Sequence, residues 1–473
     1  MPLISPSLAF ALVSFSLGEL GDGLNIFQGI YLVGVGWAEG SVGLALSLMG
    51  LTALLVQTIA GDLVDRTRVD RRIFLAVAAI VTALSASAIL LVDGNTNHAL
   101  MYVTKVIEGI AGSFIGPCLG ALTLASFGPQ RFDKVMASNI LWGHVGSVVA
   151  AILAGVAAYF LYPNIKYCFL VIGASALTSV LFVGSLPEGD PLMGRGFKGR
   201  VAMNEQGNLE AIDPTLSSED TASNDDEMER QLRRSDTTQQ ASTYWEVFSD
   251  PKTCILCVTG FFFHFANANV LLVLGELMGI DYEDGGTKRG AIPWTAGAIV
   301  LAQFTMALAT IAGDRLTRSG VGRKPLFMFG LVSLPIRCAL IIYFDYIGAG
   351  EGWLLSTQVL DGLGAGLGAL VHAYLVADIT FGSGRFNVLM GLTASCFGLG
   401  ATLSNFLGQL VVEKFTHSIS LSMSLVISFI PILVFSFFPE TQGQRGYLAP
   451  GQAAAMANKK REEEFTVPYV TMT

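Results

Sequence analysis

Three short segments of this chain occur twice, and each pair is separated by about 250 residues. Gly61-Asp62-Leu63-Val64-Asp65-Arg66 is matched by Gly313-Asp314-Arg315-Leu316-Thr317-Arg318. Thr104-Lys105-Val106-Ile107-Glu108-Gly109 is matched by Thr357-Gln358-Val359-Leu360-Asp361-Gly362. Phe127-Gly128, Arg131-Phe132 and Met136 are matched by Phe381-Gly382, Arg385-Phe386 and Met390. Each copy stands at or between long apolar runs. The constant offset means that one unit has been duplicated in the same orientation.

Composition identifies the medium. Hydrophobic residues make up 52% and charged residues 14% of 473 positions, with a mean hydropathy of +0.57. Soluble domains carry about 25% charged residues. Here the charges cluster between uncharged runs, and about 20 apolar residues cross a bilayer as a helix. The runs predict twelve crossings, six per copy, at 8–31, 42–60, 73–92, 99–122, 135–160, 166–186, 254–278, 291–312, 325–344, 353–377, 387–412 and 418–438. The fold class is therefore an all-α membrane protein of two parallel six-helix bundles, the plan in which a midplane cavity forms between repeats. The expected organisation is a first bundle at 1–186, a polar, largely disordered linker at 187–250, a second bundle at 251–440 and a tail at 441–473.

Lys and Arg set the orientation. One set of connections holds Arg66, Arg68, Arg71 and Arg72, then Arg131 and Lys134, Arg195, Lys198 and Arg200, Arg315, Arg318, Arg323 and Lys324, and Arg385. The other holds only Lys166, Lys288, Arg289 and Lys414. The basic set is expected to be cytoplasmic, with both termini, in a plasma membrane. Apolar residues 8–17 follow no basic segment and continue as a crossing, so no cleaved leader is expected. Segment 204–241 is rich in Ser, Asp, Glu, Gln and Asn and cannot bury enough surface to fold by itself. Arg233-Arg234-Ser235-Asp236 within it is read as solvated linker in preference to a phosphorylation site.

Several functions are set aside. The net charge is −9, and no basic patch with interleaved aromatics points to nucleic acid. The six cysteines lie in or beside apolar runs, and Cys254-x-x-Cys257 lacks the two further ligands zinc needs. No metal or cofactor is expected. There is no Gly-x-x-x-x-Gly-Lys-Ser/Thr loop for ATP, and no Ser/His/Asp set at one membrane face, so the chain is not read as an enzyme.

The duplicated Gly-Asp segments resemble the loop signature of the major facilitator superfamily, roughly Gly-x-x-x-Asp-Arg-x-Gly-Arg-Arg/Lys, found after the second and eighth helices. The first copy keeps Gly61, Asp65, Arg66, Arg71 and Arg72. The second keeps Gly313, Asp314, Arg318, Arg323 and Lys324, with Thr317 in place of the acid. Lys105-x-x-Glu108-Gly109 is similar to the family's fourth-helix Arg-x-x-Gln-Gly motif. The resemblance implies the major facilitator fold around a central cavity, and a role for these clusters in gating the cytoplasmic side. The competing reading is a topogenic positive cluster. Gly61 is expected to let the second helix approach a neighbour closely. Asp65 is expected to pair with Arg66, Arg71 or Arg72 and to cap the third helix. Pro439-Glu440-Thr441-Gln442-Gly443 is similar to a sugar-porter signature, but its companion after helix six is replaced by Leu186-Pro187-Glu188-Gly189-Asp190, so it is discounted. Helix five has Gly143, Gly146 and Gly155 without the proline of the antiporter signature.

Ionisable groups inside a crossing are costly and mark function by default. Helix rise places Glu19 about 16 Å from one side and Glu108 about 14 Å from the other, so the two lie at similar depth. Glu19 and Asp22, with Asn25 further along, share a face of the first crossing. Lys105 is expected to pair with Glu19, Asp22 or Glu108 and leave one carboxylate to take a proton; a static packing network is the alternative. In the second copy Asp361 replaces Glu108 and Gln358 replaces Lys105, so Asp361 lacks that neighbour. Arg337 is expected either to pair, with Asp361 as the candidate partner, or to point into water, and Asn267 lies on the helix equivalent to the first. Trp142 lies inside crossing five, where it would stack on substrate or pack. The expected activity is a monomeric secondary carrier in the lipid bilayer. It would move a small organic solute by alternating access, coupled to protons, with export of a metabolite or drug-like compound favoured. Uptake of a nutrient such as a sugar is the alternative, and a non-transporting sensor a remote one.

Overall fold

The computed structural model describes residues 4–445, apart from 19, 21–23, 68, 163, 198–200, 204–208, 212–240 and 279–290. Among the described residues ten helices are long and apolar enough to cross a membrane. One of them, His98–Leu161, has 64 residues, about 96 Å of helix against a hydrocarbon core of about 30 Å. It cannot be one crossing. It turns back at Gly128, whose φ of 68° and ψ of 170° are non-helical, followed by Pro129. Residues 98–127 and 129–161 are thus crossings four and five. The duplicated Gly382 has φ 85°, so the repeated Phe-Gly pair marks a turn in the left-handed region that glycine alone enters without strain.

The first crossing departs from the single span expected at 8–31. It is built from Pro6–Leu17 and Asn25–Gly34, and the second piece is preceded by Leu24 in the left-handed region. Gly18, Gly21 and Gly23 fall between the two pieces, and each lowers helix stability by about 1 kcal/mol relative to alanine. The chain then continues through Glu39–Arg66 and Arg71–Ser87 as crossings two and three. Crossing six begins at the short turn Ile165–Phe169 and runs through Leu170–Val183. The second copy supplies Pro251–Leu277, Ala291–Arg318 and Arg323–Tyr346 as crossings seven to nine. Glu351–Ser356 with Gln358–Ile379 forms crossing ten, Phe386–Lys414 crossing eleven, and His417–Ile427 with Phe429–Ser436 crossing twelve. The Gly61 and Gly313 segments, expected as loops, are the last turns of crossings two and eight.

Glycine sets the packing between equivalent helices. A Cβ on Gly109 would lie 2.5 Å from the Met49 carbonyl, and one on Gly362 2.5 Å from the Ala302 carbonyl. The duplication therefore repeats a contact as well as a motif. One buried cluster fills the first copy, from Phe10 through Leu75 to Phe169. Another joins Phe132 and Met136 of the first copy to Tyr374, Phe386 and Phe435 of the second. Parts of the linker are ordered against the bundles. The Gly196 carbonyl accepts from the Gly382 amide at 2.7 Å, Val201–Met203 pairs antiparallel with Leu209–Ala211, and Tyr244–Phe248 forms a short helix before crossing seven.

Candidate functional site

The two copies meet along two seams, whose charged ends lie at the membrane face that carries the basic connections. On the first seam, crossing two meets crossing eleven. A Cβ on Gly61 would collide with the Asn387 carbonyl, so the backbones approach to a distance only glycine permits. Asp65, wholly buried, accepts from Asn387 Nδ2 at 2.7 Å and from the Val388 amide at 3.0 Å. This corrects the expected partners: among the described residues Asp65 forms no ion pair with Arg66, Arg71 or Arg72. It sits at the start of crossing eleven, where unsatisfied amides and the helix dipole attract a carboxylate. Crossing three is capped instead by Asp70, whose Oδ1 accepts from the Arg72 amide at 2.9 Å. Burial opposes ionisation of Asp70, but its hydrogen bonds from Arg72 prevail and hold its pKa below the usual value. Arg72 also reaches Glu188 at 2.5 Å, and Arg71 donates to the Pro191 carbonyl at 3.1 Å.

Asp62, absent from the expected gate, is the hub beside Asp65. It accepts from Arg66 Nε at 3.0 Å, Tyr244 Oη at 2.5 Å and Arg385 Nη1 at 3.3 Å. The guanidinium of Arg385 lies 4.2 Å from the Tyr244 ring centroid and that of Arg66 5.3 Å. Arg385 Nε donates to the Ser242 carbonyl at 2.9 Å. The end of the linker is thus part of the seam.

On the second seam, crossing five meets crossings eight to ten. Asp133 accepts from Arg323 Nη2 at 2.7 Å and Arg445 Nη2 at 2.5 Å. Asp378 accepts from Arg445 Nε at 2.7 Å, from Thr441 Oγ1 at 2.6 Å and from Arg323 Nη1. Burial opposes the charge on Arg445, but Asp133 and Asp378 outweigh it and raise its pKa above the usual arginine value. The discounted segment after crossing twelve belongs here: Glu440 accepts from the amides of Arg323 and Lys324 at 3.0 and 3.1 Å and caps crossing nine. Asp314 pairs with Arg318. Gly313 does not approach the other copy as Gly61 does; its Cα faces Leu367 and Leu370 within its own half. Among the described residues, the ion pairs joining the two copies are Arg385–Asp62, Arg323–Asp133 and Arg445–Asp133, all at the basic face.

Within the membrane, Lys105 Nζ and Glu108 Oε2 stand 2.9 Å apart, each about 1% exposed. Glu19 and Asp22 lie outside the described residues, as does the side chain of Asn25. In the second copy Arg337 Nη1 reaches Asp361 Oδ1 at 2.7 Å and Asn267 Oδ1 at 2.7 Å, and Asn267 Nδ2 donates to Asp361 at 3.1 Å. Asp361 therefore has a basic neighbour, drawn from crossing nine and not from its own helix. The two carboxylates occupy equivalent positions in the two copies, and their cations do not. Both cations are buried, and Asp361 keeps 13% of its side chain exposed. Trp142 is 40% exposed and meets Phe15 edge to face at 6.5 Å. His144 Nδ1 lies 2.7 Å from Gln303 Oε1 across the copies, while His264 and His372 flank Phe397 at centroid distances of 5.1 and 5.0 Å.

Asn387, Tyr244, Asp133, Asp378, Glu440 and Arg445 were not among the expected site residues. Asp133 and Asn387 were the most accessible of these, because each follows the duplicated Arg-Phe pair directly.

Comparison with known proteins agrees with this architecture. Residues 4–319 match the family model of the Major Facilitator Superfamily. An uncharacterized MFS-type transporter of Mycobacterium tuberculosis, in strains CDC 1551 / Oshkosh and H37Rv, is 31% identical over 436 residues, covering 92% of this chain and 93% of that protein. The chain superposes on the proton:xylose symporter XylE bound to 6-bromo-6-deoxy-D-glucose with a TM-score of 0.66 at 16% identity, over 95% of this chain and 98% of that one. A double-Trp XylE mutant gives 0.63 at 15% identity, over 93% and 97%. The chain belongs to the major facilitator superfamily: it is a multi-pass membrane protein and a secondary transporter, not an enzyme. Members of the family bind small-molecule substrates and often ions.

Proposed function

We propose that this chain exports a small cationic or zwitterionic organic solute in exchange for protons, by alternating access, as a monomer in the plasma membrane with its basic face and both termini in the cytoplasm. Residues 1–186 and 251–440 are the rocking units, 187–250 the connection between them and 441–473 the tail. The observation that carries the reading is the one-sided distribution of ion pairs between the copies among the described residues. A carrier caught with one side closed has its inter-half ion pairs on that side, and opening it requires these bonds to break together. Gly61, Asp65, Asp62, Arg385, Asp133, Arg323 and Arg445 form this gate.

Proton coupling rests on the buried Asp361–Arg337–Asn267 triangle and on Glu108 with Lys105. A carboxylate held by one cation takes a proton when that cation is drawn away, because burial then penalises its charge. Glu19, Asp22 and the side chain of Asn25, which lie outside the described residues, are assigned to recognition of the amphiphilic cation from their place in the sequence, and Trp142 offers it a ring.

A second reading, proton-driven uptake of a sugar, is supported by the sugar-porter-like Pro439–Gly443 segment, whose Glu440 caps crossing nine. Its fold is also that of a proton:xylose symporter. Flux into proteoliposomes under an imposed pH gradient separates the two. Export predicts that a gradient acid on the side opposite the basic face drives cations such as tetraphenylphosphonium or ethidium toward that side, with xylose and glucose inert. Sugar accumulation driven by the same gradient establishes uptake and removes export. Flux of either solute that is indifferent to the gradient removes the proton coupling.

A further inference from the structure

The two seams of the basic face are copies of one another, and one is filled while the other holds a cavity. Asp62 and Arg66 of the first seam correspond in the duplication to Asp314 and Arg318 of the second, and Arg385 corresponds to Arg131. On the first seam the linker residue Tyr244 occupies the space between Arg66 and Arg385 and donates to Asp62 at 2.5 Å. On the second seam the nearest tyrosine, Tyr374, comes from inside the second half and reaches Asp314 only at 3.5 Å. In the place equivalent to Tyr244 there is a cavity of about 130 Å³, walled by Arg131 and Lys134 of crossing five, Arg318 and Arg323 of crossings eight and nine, and Gln442 and Arg445 of the segment after crossing twelve.

The wall is positive. Five cationic side chains line it against the three carboxylates of Asp133, Asp314 and Asp378. Those carboxylates are already engaged, Asp133 and Asp378 by Arg323 and Arg445 and Asp314 by Arg318. Lys134 is exposed, and among the described residues it has no ion-pair partner. Arg323 is 4% exposed, yet its Nε donates to nothing among the described residues. A buried guanidinium N–H without an acceptor costs about 1–3 kcal/mol, and an anion entering the cavity would relieve it.

We propose that this cavity is a binding site for a phosphate group that holds the two halves together at the basic face. A phosphate offers several acceptor oxygens in a tetrahedral array, which guanidinium and ammonium groups on different elements can share. The cavity's volume of about 130 Å³ accommodates a phosphate group. Its position beside the basic connections is where headgroup phosphates lie and where soluble phosphates also have access. A phosphate in contact with Lys134 of the first half and Arg318 of the second bridges the seam. It binds the closed arrangement in preference to the open one and shifts the population toward it. The site is separate from the carboxylates assigned to proton coupling, so it can exist whichever solute is carried.

The test uses the full chain in maltoside detergent, with pyrophosphate as the soluble probe and dioctanoyl phosphatidic acid as the lipid probe. The readout is the midpoint of thermal unfolding. A saturable rise with at least one probe is expected, beyond that given by sodium chloride at matched ionic strength. Pyrophosphate as the stronger probe identifies a soluble phosphate as the source, and phosphatidic acid as the stronger one identifies a headgroup. Lys134→Gln, at an exposed position that does not threaten folding, should raise the half-saturating concentration about five- to tenfold, the loss of one charged contact. Lys134→Arg should restore it. Equal midpoints in sodium chloride and in both probes, or an undiminished response in Lys134→Gln, would overturn the proposal.

Discussion

Phe132 and Phe386 are the same residue of the two copies, and their rings meet edge to face at a centroid distance of 5.6 Å. Two equivalent residues touch only where the pseudo-twofold axis passes between them, so the axis emerges from the basic face at this pair. Both are fully buried in an apolar cluster that joins the halves. The position makes a specific demand on mutants. Phe132→Ala and Phe386→Ala should each weaken closure of this face to a similar extent, and the double variant should fall short of their sum by about 0.5–1.5 kcal/mol, the ring–ring coupling. Distances between spin labels on the two halves at this face give the populations. Strictly additive shifts would mean that the two rings do not act on one another.

Asp65 is the polar counterpart of that contact. Its carboxylate ties the end of crossing two to the first turn of crossing eleven and is shielded from water on all sides. Asp65→Ala should cost the closed state about 2 kcal/mol, roughly thirtyfold in population. The basic face of the variant should then admit thiol reagents to cysteines placed along crossings four and ten. Unchanged labelling from that side would show that Asp65 is only a packing residue.

How much of this was legible in the sequence depends on how far apart the partners lie. The turn at Gly128, the duplicated Gly109 and Gly362 contacts and the Arg337–Asp361 pair were within reach, because each follows from a local rule or from the cost of an unpaired charge in a membrane. Asp65 was misassigned to its sequence neighbours because its true partner, Asn387, lies in the other half, and no local pattern specifies which helix start a carboxylate will meet. Arg445 and Glu440 were passed over because a five-residue resemblance without its companion carries little weight by itself. Their role becomes visible only once crossing twelve returns them beside crossing nine. The break in the first crossing was foreshadowed by three closely spaced glycines, but hydropathy alone joined the pieces.

The glycines separate folding from gating. Gly61 and Gly109 both lack room for a methyl group, but Gly61 faces the other half and Gly109 faces crossing two of its own half. Gly109→Ala should lower the thermal midpoint and the yield of folded protein, because the Met49 backbone has no alternative position. Gly61→Ala should leave both near wild type and shift the protein toward a state open at the basic face, since the halves can separate there. The two variants are compared by thermal unfolding and by the same spin-label distances. Loss of folded protein in Gly61→Ala, to the extent seen for Gly109→Ala, would place the second and eleventh crossings in permanent contact and exclude this seam as a gate.

Asp361 offers the sharpest distinction between a proton site and a static brace. Removing Arg337 alone leaves a carboxylate buried without its cation, a loss of about 3–5 kcal/mol if the group stays charged. Asp361→Asn keeps the volume and the hydrogen bond from Asn267 but cannot titrate. On the proton-site reading, Asp361→Asn should exchange labelled solute across the membrane at near wild-type rates and lose accumulation driven by a pH gradient by tenfold or more, about 1.4 kcal/mol of coupling. On the static reading, exchange and gradient-driven accumulation should fall together, in step with thermal stability. Gradient-driven accumulation retained in Asp361→Asn would remove Asp361 from the coupling mechanism and leave Glu108, with Lys105, as the group to replace next.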